Sequence, residues 1–305
     1  MSGSPPRVCV IVNPAAGRGR GGRALPGVRA AFAAVGITDI RQSTEREGEA
    51  TVADRAIAEG CDTLVAVGGD GTWSNVANAI LRSGADCRLA LIAAGTGNDF
   101  AKTAGAPAHD AAATARLVVA GVDRRVDVGR IEDRWFLNIV GFGFDVSVLE
   151  SVAGITWLKG DALYAYAALR QLGSYVGTEI AIDSAARTRA SAAHLMLVIA
   201  NARHFGGTFR IAPHASITDG LLDAVAIGDA SPFRRLQLFG AVIRGTHAAM
   251  PEVHIEPSRA FTLRFPTAPA YETDGEYRRA ASTTIEVACV PNGLRLVVPH
   301  DAVVP

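Results

Sequence analysis

Three short apolar runs near the start of the chain each end in a glycine cluster, and this repeat limits the fold more than any other feature. The run over 7–12 leads into Asn13-Pro14-Ala15-Ala16-Gly17-Arg18-Gly19-Arg20-Gly21-Gly22-Arg23. The run over 63–67 leads into Gly68-Gly69-Asp70-Gly71-Thr72, and that over 88–93 into Gly95-Thr96-Gly97. Amphipathic spacing predicts helices over 23–35 and 47–59 and a third that follows the second cluster and runs to about 82, with a shorter strand over 39–42. Strands alternating with helices imply a parallel sheet covered on both faces. Ligands of such sheets sit at the carboxyl ends of the strands, where all three clusters fall.

From about residue 126 the texture changes. Short β-like runs dominate, over 135–140, 179–183, 194–200, 222–227, 260–265, 283–288 and 294–298. Helical stretches over 144–152, 162–173 and 232–244 interrupt them. The reading is an α/β, doubly wound nucleotide-binding domain over 1–125 and a β-sandwich domain over 126–290, with 290–305 an open candidate to return to the first. A chain of 305 residues suits two domains.

Thirty basic and thirty acidic residues cancel, which argues against broad attraction to nucleic acid. Cys9, Cys61, Cys87 and Cys289 form no CxxC pair, so neither a zinc site nor a disulfide framework is expected. A cytoplasmic setting follows from that usage. No stretch reaches the roughly 18 apolar residues of a membrane span, and the apolar run 8–12 is too short for a signal peptide.

The chemistry starts with the glycines. Glycine lets a backbone approach an oxygen-rich ligand and adopt positive φ, and successive N–H groups at a helix start can cradle phosphate. Arg18 and Arg20 can offset phosphate charge. Gly17-x-Gly19-x-x-Gly22 with Asp39 downstream also matches a dinucleotide fingerprint, but Asn13-Pro14 and further residues separate it from the strand. A Walker loop is absent, as is a GxSxG elbow. In Gly68-Gly69-Asp70-Gly71-Thr72, Thr72 or Ser74 is expected to cap the following helix. Asp70 is an acid where an anion should bind, which calls for Mg²⁺ or a hydroxyl to orient.

At this point the sequence resembles the bacterial diacylglycerol kinase and sphingosine kinase superfamily of lipid kinases. The matching elements, in order, are Asn13-Pro14-x-x-Gly17, Gly68-Gly69-Asp70-Gly71-Thr72 with Asn75, Gly95-Thr96-Gly97-Asn98-Asp99, Asn138-x-x-Gly141-x-Gly143, Gly206-Gly207, Ala212-Pro213-x-Ala215, Asp219-Gly220-x-x-Asp223 and Asp274-Gly275-Glu276. The glycine-aspartate element is shared with phosphofructokinases and NAD kinases. The resemblance implies a fold of that kind, with a β-sandwich second domain and an active site between the two. It implies ATP contacts from Asn13, Pro14, Ala15, Ala16, Gly17 and Arg18, from Gly68, Gly69, Asp70, Gly71, Thr72, Trp73 and Ser74, and from Thr44 and Thr96. It places a structural Mg²⁺ at Asp219, with Ser216 and Leu221 adding backbone oxygens, and the proton acceptor at Glu276. Ala16, Arg18 and Thr218 depart from the Ser or Thr, the Lys and the second acid that relatives often carry.

The expected activity is therefore ATP-dependent phosphorylation of a lipid hydroxyl, diacylglycerol first, with Glu276 and Asp70 as its catalytic carboxylates, Glu276 as base and Asp70 organising Mg²⁺-ATP and the hydroxyl. Alternatives are a sphingoid or other lipid alcohol as acceptor, an NAD kinase, an NAD-dependent oxidoreductase, and a regulatory protein that lost catalysis. Expected partners are ATP, Mg²⁺ and a membrane lipid met transiently at the inner membrane surface; a homodimer stays open. The seven histidines show no ligand spacing. Arg203 and His204 are as compatible with a surface loop as with a headgroup contact. Trp157, Leu158, Leu163, Tyr164 and Tyr166 are compatible with a lipid entrance or with plain core.

Overall fold

The structure is a computed structural model that describes residues 6–152, 173, 175–207, 209–299 and 302. Residues 162–172 of the expected helix and the aromatic group around Tyr164 lie outside the described residues. The chain forms two compact units. One comprises Met1–Val128, Ile217–Asp219 and Val290–Pro305; the other comprises Gly129–Ser216 and Gly220–Cys289.

The first unit is built on parallel strands β1 (Val8–Val12), β2 (Ile40–Gln42), β3 (Thr63–Gly68) and β4 (Arg88–Ala93). β1 lies between β2 and β3, and β4 pairs with β3 on the other side. The end of a long strand, β15 (Thr284–Leu296), pairs parallel to β4 through Arg295 and Leu296. Side chains alternate along the strands. Val8, Val10 and Val12 face Val28 and Phe32 of helix α1 (Ala16–Ala33) and Ala115 and Val118 of α5 (Ala111–Ala120). Cys9 and Ile11 are buried on the opposite face, which α2 (Glu49–Ala58) and α3 (Asp70–Ser83) cover. Between α3 and α5 sits α4 (Asp99–Ala104), a short helix that apolar spacing alone does not announce.

The second unit is an antiparallel β structure. β14 (Glu276–Arg279), β13 (Ala270–Thr273), β7 (Ile139–Gly143), β9 (Thr188–Ala200), β8 (Thr178–Ser184) and β12 (Ala260–Arg264) follow one another in space, and the start of β15 closes the row. β10 (Leu222–Gly228) pairs with β9 and with β11 (Val253–Ser258), and β6 (Arg134–Phe136) forms a hairpin with the end of β5 (Arg124–Ile131). Leu197 and Ile199 enter a core with Phe142, Phe261 and Leu263. Val198 and Ala200 point the other way, into a cluster with α6 (Phe144–Val152) and α7 (Pro232–Arg244). The run expected over 135–140 is two strands, because the chain breaks step at Leu137-Asn138. The two runs expected at the carboxyl end are one strand. No helix among the described residues is long and apolar enough to cross a membrane.

Packing in the β5–β6 hairpin is tight enough to test. A Cβ at Gly129 would lie 1.9 Å from the Phe136 ring, whereas one at Gly27 in α1 meets nothing within 4 Å. Gly129→Ala should lower stability by about 1–3 kcal/mol through overpacking. Gly27→Ala should raise it by about 0.5–1 kcal/mol, because glycine costs a helix interior conformational entropy. Chemical denaturation of both variants checks the pair.

Candidate active site

The first glycine cluster starts from Asn13, just past β1. Its Oδ1 accepts from Ala15 N at 2.9 Å and Ala16 N at 3.1 Å, and its Nδ2 donates to Thr72 Oγ1 at 3.0 Å. One amide side chain thus closes its own turn and ties it to the start of α3. The chain then passes through three left-handed residues, Gly17 (φ 56°), Arg18 (φ 60°) and Gly19 (φ 82°). This kink separates the loop from the helix proper. Arg18 adopts that conformation without being glycine, at a cost of roughly 1–2 kcal/mol, and its side chain is exposed. Arg20 is committed elsewhere: it donates to Gly95 O at 2.7 Å and to Thr96 Oγ1 at 3.1 Å. It braces the third cluster.

The second and third clusters lie backbone against backbone. A Cβ at Gly95 would stand 2.3 Å from Gly69 Cα, so neither position admits a side chain. Asn98 closes the third turn by exchanging hydrogen bonds with Gly95 N (3.1 Å) and Gly95 O (3.0 Å). Asp70, the first residue of α3, accepts from Phe100 N at 3.0 Å and so joins the start of α3 to that of α4. Its other oxygen and Asp99 Oδ2 both flank Gly97, where a Cβ would lie 3.2 and 3.1 Å from them. Lys102 pairs with Asp99 at 2.8 Å. Two carboxylates beside a surface of glycine backbone could receive a nucleotide accompanied by a divalent cation: the backbone suits phosphate oxygens, and carboxylate oxygens suit the cation.

Some expected site residues have other duties. Neither Thr72 nor Ser74 caps α3; Gly69 occupies the cap position with no side-chain hydrogen bond, because the helix already starts at Asp70. Ser74 is fully buried and its Oγ has no hydrogen-bond partner. Trp73 is also fully buried, donating its indole N–H to Ala66 O and its backbone N–H to Gly69 O. Trp73 belongs to the core, and no donor of it is left for a ligand. Gly68 and Gly71 flank the turn; a Cβ at Gly68 would strike the Thr72 side chain. Thr44 is exposed and closes a small turn by accepting from Glu47 N at 3.1 Å. Pro14, Ala15 and Ala16 line the first loop. Asp39 is gripped by Arg41 at 2.9 and 2.7 Å, and those hydrogen bonds hold its carboxyl below the usual range.

In the second unit Glu276 opens β14 directly after a two-residue turn in which Asp274 (φ 49°) and Gly275 (φ 87°) are both left-handed, the geometry of a tight hairpin. Glu276 Oε2 accepts from Arg134 at 2.9 Å, with Arg278 at 3.6 Å. Asp274 accepts from the backbone N–H groups of Leu137, Asn138 and Ile139 at 2.8, 2.8 and 3.2 Å. It pins the break between β6 and β7, while Asn201 Nδ2 donates to Leu137 O at 2.8 Å. Asp219 is exposed in a turn with Gly220 at φ 73°; Ser216 and Leu221 are half-buried. This set contains a single carboxylate. Arg203 Nε donates to Ala215 O, a fold contact.

Sequence reasoning gave no role to Asp145 and Glu272. Both are buried, and both oxygens of Asp145 and Oε1 of Glu272 have no hydrogen-bond partner of good geometry. They crowd the bare face of Gly141, where a Cβ would lie 1.8 Å from Asp145 Oδ2 and 3.2 Å from Glu272 Cγ. The glycine is required by the acid above it. Burial pushes the Asp145 carboxyl up to about 7, against the backbone N–H groups at the start of α6. Burial, then Asp145 and Asp274, push Glu272 well above its ordinary value.

The comparisons with known proteins divide the chain near the same first boundary. Residues 7–131 match the Diacylglycerol kinase catalytic domain, and 138–298 match the YegS C-terminal NAD kinase beta sandwich-like domain. A diacylglycerol kinase of Mycobacterium tuberculosis is 30% identical over 304 residues, covering 96% of each chain. This chain belongs to the diacylglycerol kinase family. A diacylglycerol kinase of Bacillus subtilis is 28% identical, covering 89% of this chain and 90% of its own. Among solved structures, a diacylglycerol kinase from Bacillus anthracis shares the fold with a TM-score of 0.78 at 21% identity, over 97% of this chain and 98% of that one. An NAD kinase from Archaeoglobus fulgidus in complex with ATP shares it with a TM-score of 0.56 at 12% identity, over 97% and 95%. The α/β unit with an antiparallel β unit is thus the diacylglycerol and NAD kinase architecture, and the family is one of phosphotransferases.

The Asp145–Glu272 pair has a signed consequence for stability. In the folded chain both acids keep protons to higher pH than in the unfolded chain, where carboxyls titrate near ~4. The pair therefore favours folding at low pH, and that contribution is lost as pH rises from about 4 through 7. Glu272→Gln keeps the shape and removes one ionisation. Its melting temperature should fall less than that of the wild type between about pH 5 and 8, as scanning calorimetry at several pH values will read.

Proposed function

We propose that this chain transfers the γ-phosphoryl group of ATP to a hydroxyl of a membrane lipid, with diacylglycerol as the first candidate and phosphatidic acid as its product. The observation that carries this reading is Asp70, hydrogen-bonded into a surface made of Gly69, Gly95 and Gly97 with Asp99 alongside. The names of the relatives from Mycobacterium tuberculosis and Bacillus subtilis support the acceptor class. A sphingoid or other lipid alcohol would use the same groups. A dinucleotide-dependent oxidoreductase is less well supported, since the acid it would need, Asp39, is held by Arg41.

Phosphoryl transfer asks a protein mainly for positioning and charge neutralisation. Backbone N–H groups of the three glycine turns would hold the phosphates, Arg18 would add positive charge, and Thr44 and Thr96 would contribute hydroxyls from exposed turns. Bound Mg²⁺ would neutralise phosphate charge beside Asp70 and Asp99. As the acceptor oxygen bonds to phosphorus, the bond from the γ-phosphorus to the bridging oxygen breaks, ADP leaves with that electron pair, and the hydroxyl proton must go to a base. A hydroxyl has a pKa near ~15.7, against ~4 for a carboxylate, so the proton moves late, once the oxygen has begun to bond. Glu276, oriented by Arg134, takes that role. Asp70 organises the nucleotide and its metal. The protein works as a peripheral visitor at the inner membrane surface.

Glu276→Ala and Asp70→Ala should each lower turnover by about 10²–10⁴-fold, read by labelled ATP against a panel of lipid alcohols in mixed micelles. Asp70→Ala should also lose the thermal shift given by ATP with Mg²⁺, and Glu276→Ala should keep it. Near-normal turnover by a folded Glu276→Ala protein removes that residue from the role.

Ser216, Asp219 and Leu221 are proposed to hold a second, structural Mg²⁺, with most donors from the backbone. Asp219→Ala should abolish any thermal shift given by Mg²⁺ alone. An equal shift in that variant sinks the assignment.

A further inference from the structure

Helix α7 is apolar on two opposite sides. Its inner side buries Leu238, Ala241 and Val242 against the sheet. Its outer side exposes Phe233, Leu236 and Ile243 at 72%, 49% and 47%. These recur at intervals of three and seven residues, so they line one stripe of the helix, with Gly240 between them. Val176, exposed at 83%, adds to the near end: its neighbour Gly177 packs on Asp229, just ahead of Pro232 where the helix starts.

The charge on this helix is one-sided. It carries Arg234, Arg235 and Arg244 and no acidic residue. Arg234 pairs with Glu252 at its flank, and Arg235 is buried against Asp229. Arg244 is exposed at the far end with its guanidinium over Gly240, and the exposed Arg210 lies against Gly245. The stripe therefore ends in two cations, and its only other polar member is Gln237.

We propose that the outer face of α7 docks this protein on an anionic lipid bilayer. A row of large apolar side chains on a surface helix is unfavourable in water unless something covers it. A protein partner is met as well by neutral or acidic rims, whereas the exposed Arg244 and Arg210 at the far end match a phosphate-rich surface, the near-end acids Asp229 and Glu252 each being held by an arginine. In the bilayer interface such a helix lies flat, with its apolar side chains in the acyl boundary and the arginines reaching the lipid phosphates. The choice of a bilayer as occupant rests on the lipid-kinase reading, because a water-borne enzyme must reach a lipid in its membrane.

Sedimentation with phosphatidylcholine vesicles, with and without one-third phosphatidylglycerol, tests the surface in the full chain. Wild type should bind the anionic vesicles. Phe233→Asp with Leu236→Asp should bind at least about tenfold more weakly at an unchanged melting temperature. Arg244→Ala should weaken binding only to anionic vesicles and reduce its salt dependence. Phe233→Trp should bind normally, and its added fluorescence should be quenched by lipids brominated in the acyl chains. The double variant should keep turnover of a short-chain, water-soluble diacylglycerol and lose turnover of the lipid in vesicles. Unchanged vesicle binding by the double variant, or an added tryptophan that brominated lipid leaves unquenched, overturns the proposal. So does a dimer that the double variant breaks while its vesicle binding persists, which would assign the stripe to a second copy. If no lipid alcohol is phosphorylated and the vesicle results hold, the kinase reading fails and the docking face stands. If turnover is normal and the variants bind vesicles unchanged, the reverse is true.

Discussion

The architecture of the candidate nucleotide site depends on one close approach, that of the Gly69 and Gly95 backbones. With a methyl at Gly95 placed 2.3 Å from Gly69 Cα, any side chain there would push the two turns apart. Asp70 could then no longer accept from Phe100 N, and α3 and α4 would no longer start side by side. Asn13 and Arg20 bring the first loop to the same place through Thr72 Oγ1, Gly95 O and Thr96 Oγ1. The three clusters therefore act as one surface.

The second unit uses the complementary device. Its break between β6 and β7 leaves three backbone N–H groups inside the protein, and the Asp274 carboxylate accepts from all of them. Buried N–H groups left without partners would cost about 1–3 kcal/mol each. This fixes the hairpin turn and so the place of Glu276 beside Arg134. Within one short motif, one acid is structural and the next is the candidate base.

The acids of the chain divide by surroundings. Asp39, Asp99 and Glu276 each have a cationic partner. Asp145 and Glu272 have none of good geometry and sit in the interior of the second unit, so their protons stay on to higher pH. Two negative charges side by side in a poorly polarisable medium are strongly unfavourable. Gly141 is the position that lets them fit at all.

By itself, the sequence determined the strand–helix alternation of the first unit, the antiparallel β texture of the second and the positions of the glycine turns. These follow from local periodicity and from the steric needs of single residues. The family was legible in the order of short motifs, because each marks a backbone position that tolerates few residues. Only the tertiary structure decided which motif residues face outward. Thr72, Trp73 and Ser74 follow the half-exposed Asp70 and Gly71 in the same motif yet are buried, since one turn of α3 points residues both to solvent and to core. Arg20 and Arg18 look alike in the sequence, but Arg20 is spent on Gly95 and Thr96. Asp145 and Glu272 are 127 positions apart, with no local pattern to join them; the antiparallel register that sets Glu272 opposite Gly141 does so. Pairing across a sheet is a long-range choice made by packing, which a local reading of residues cannot supply.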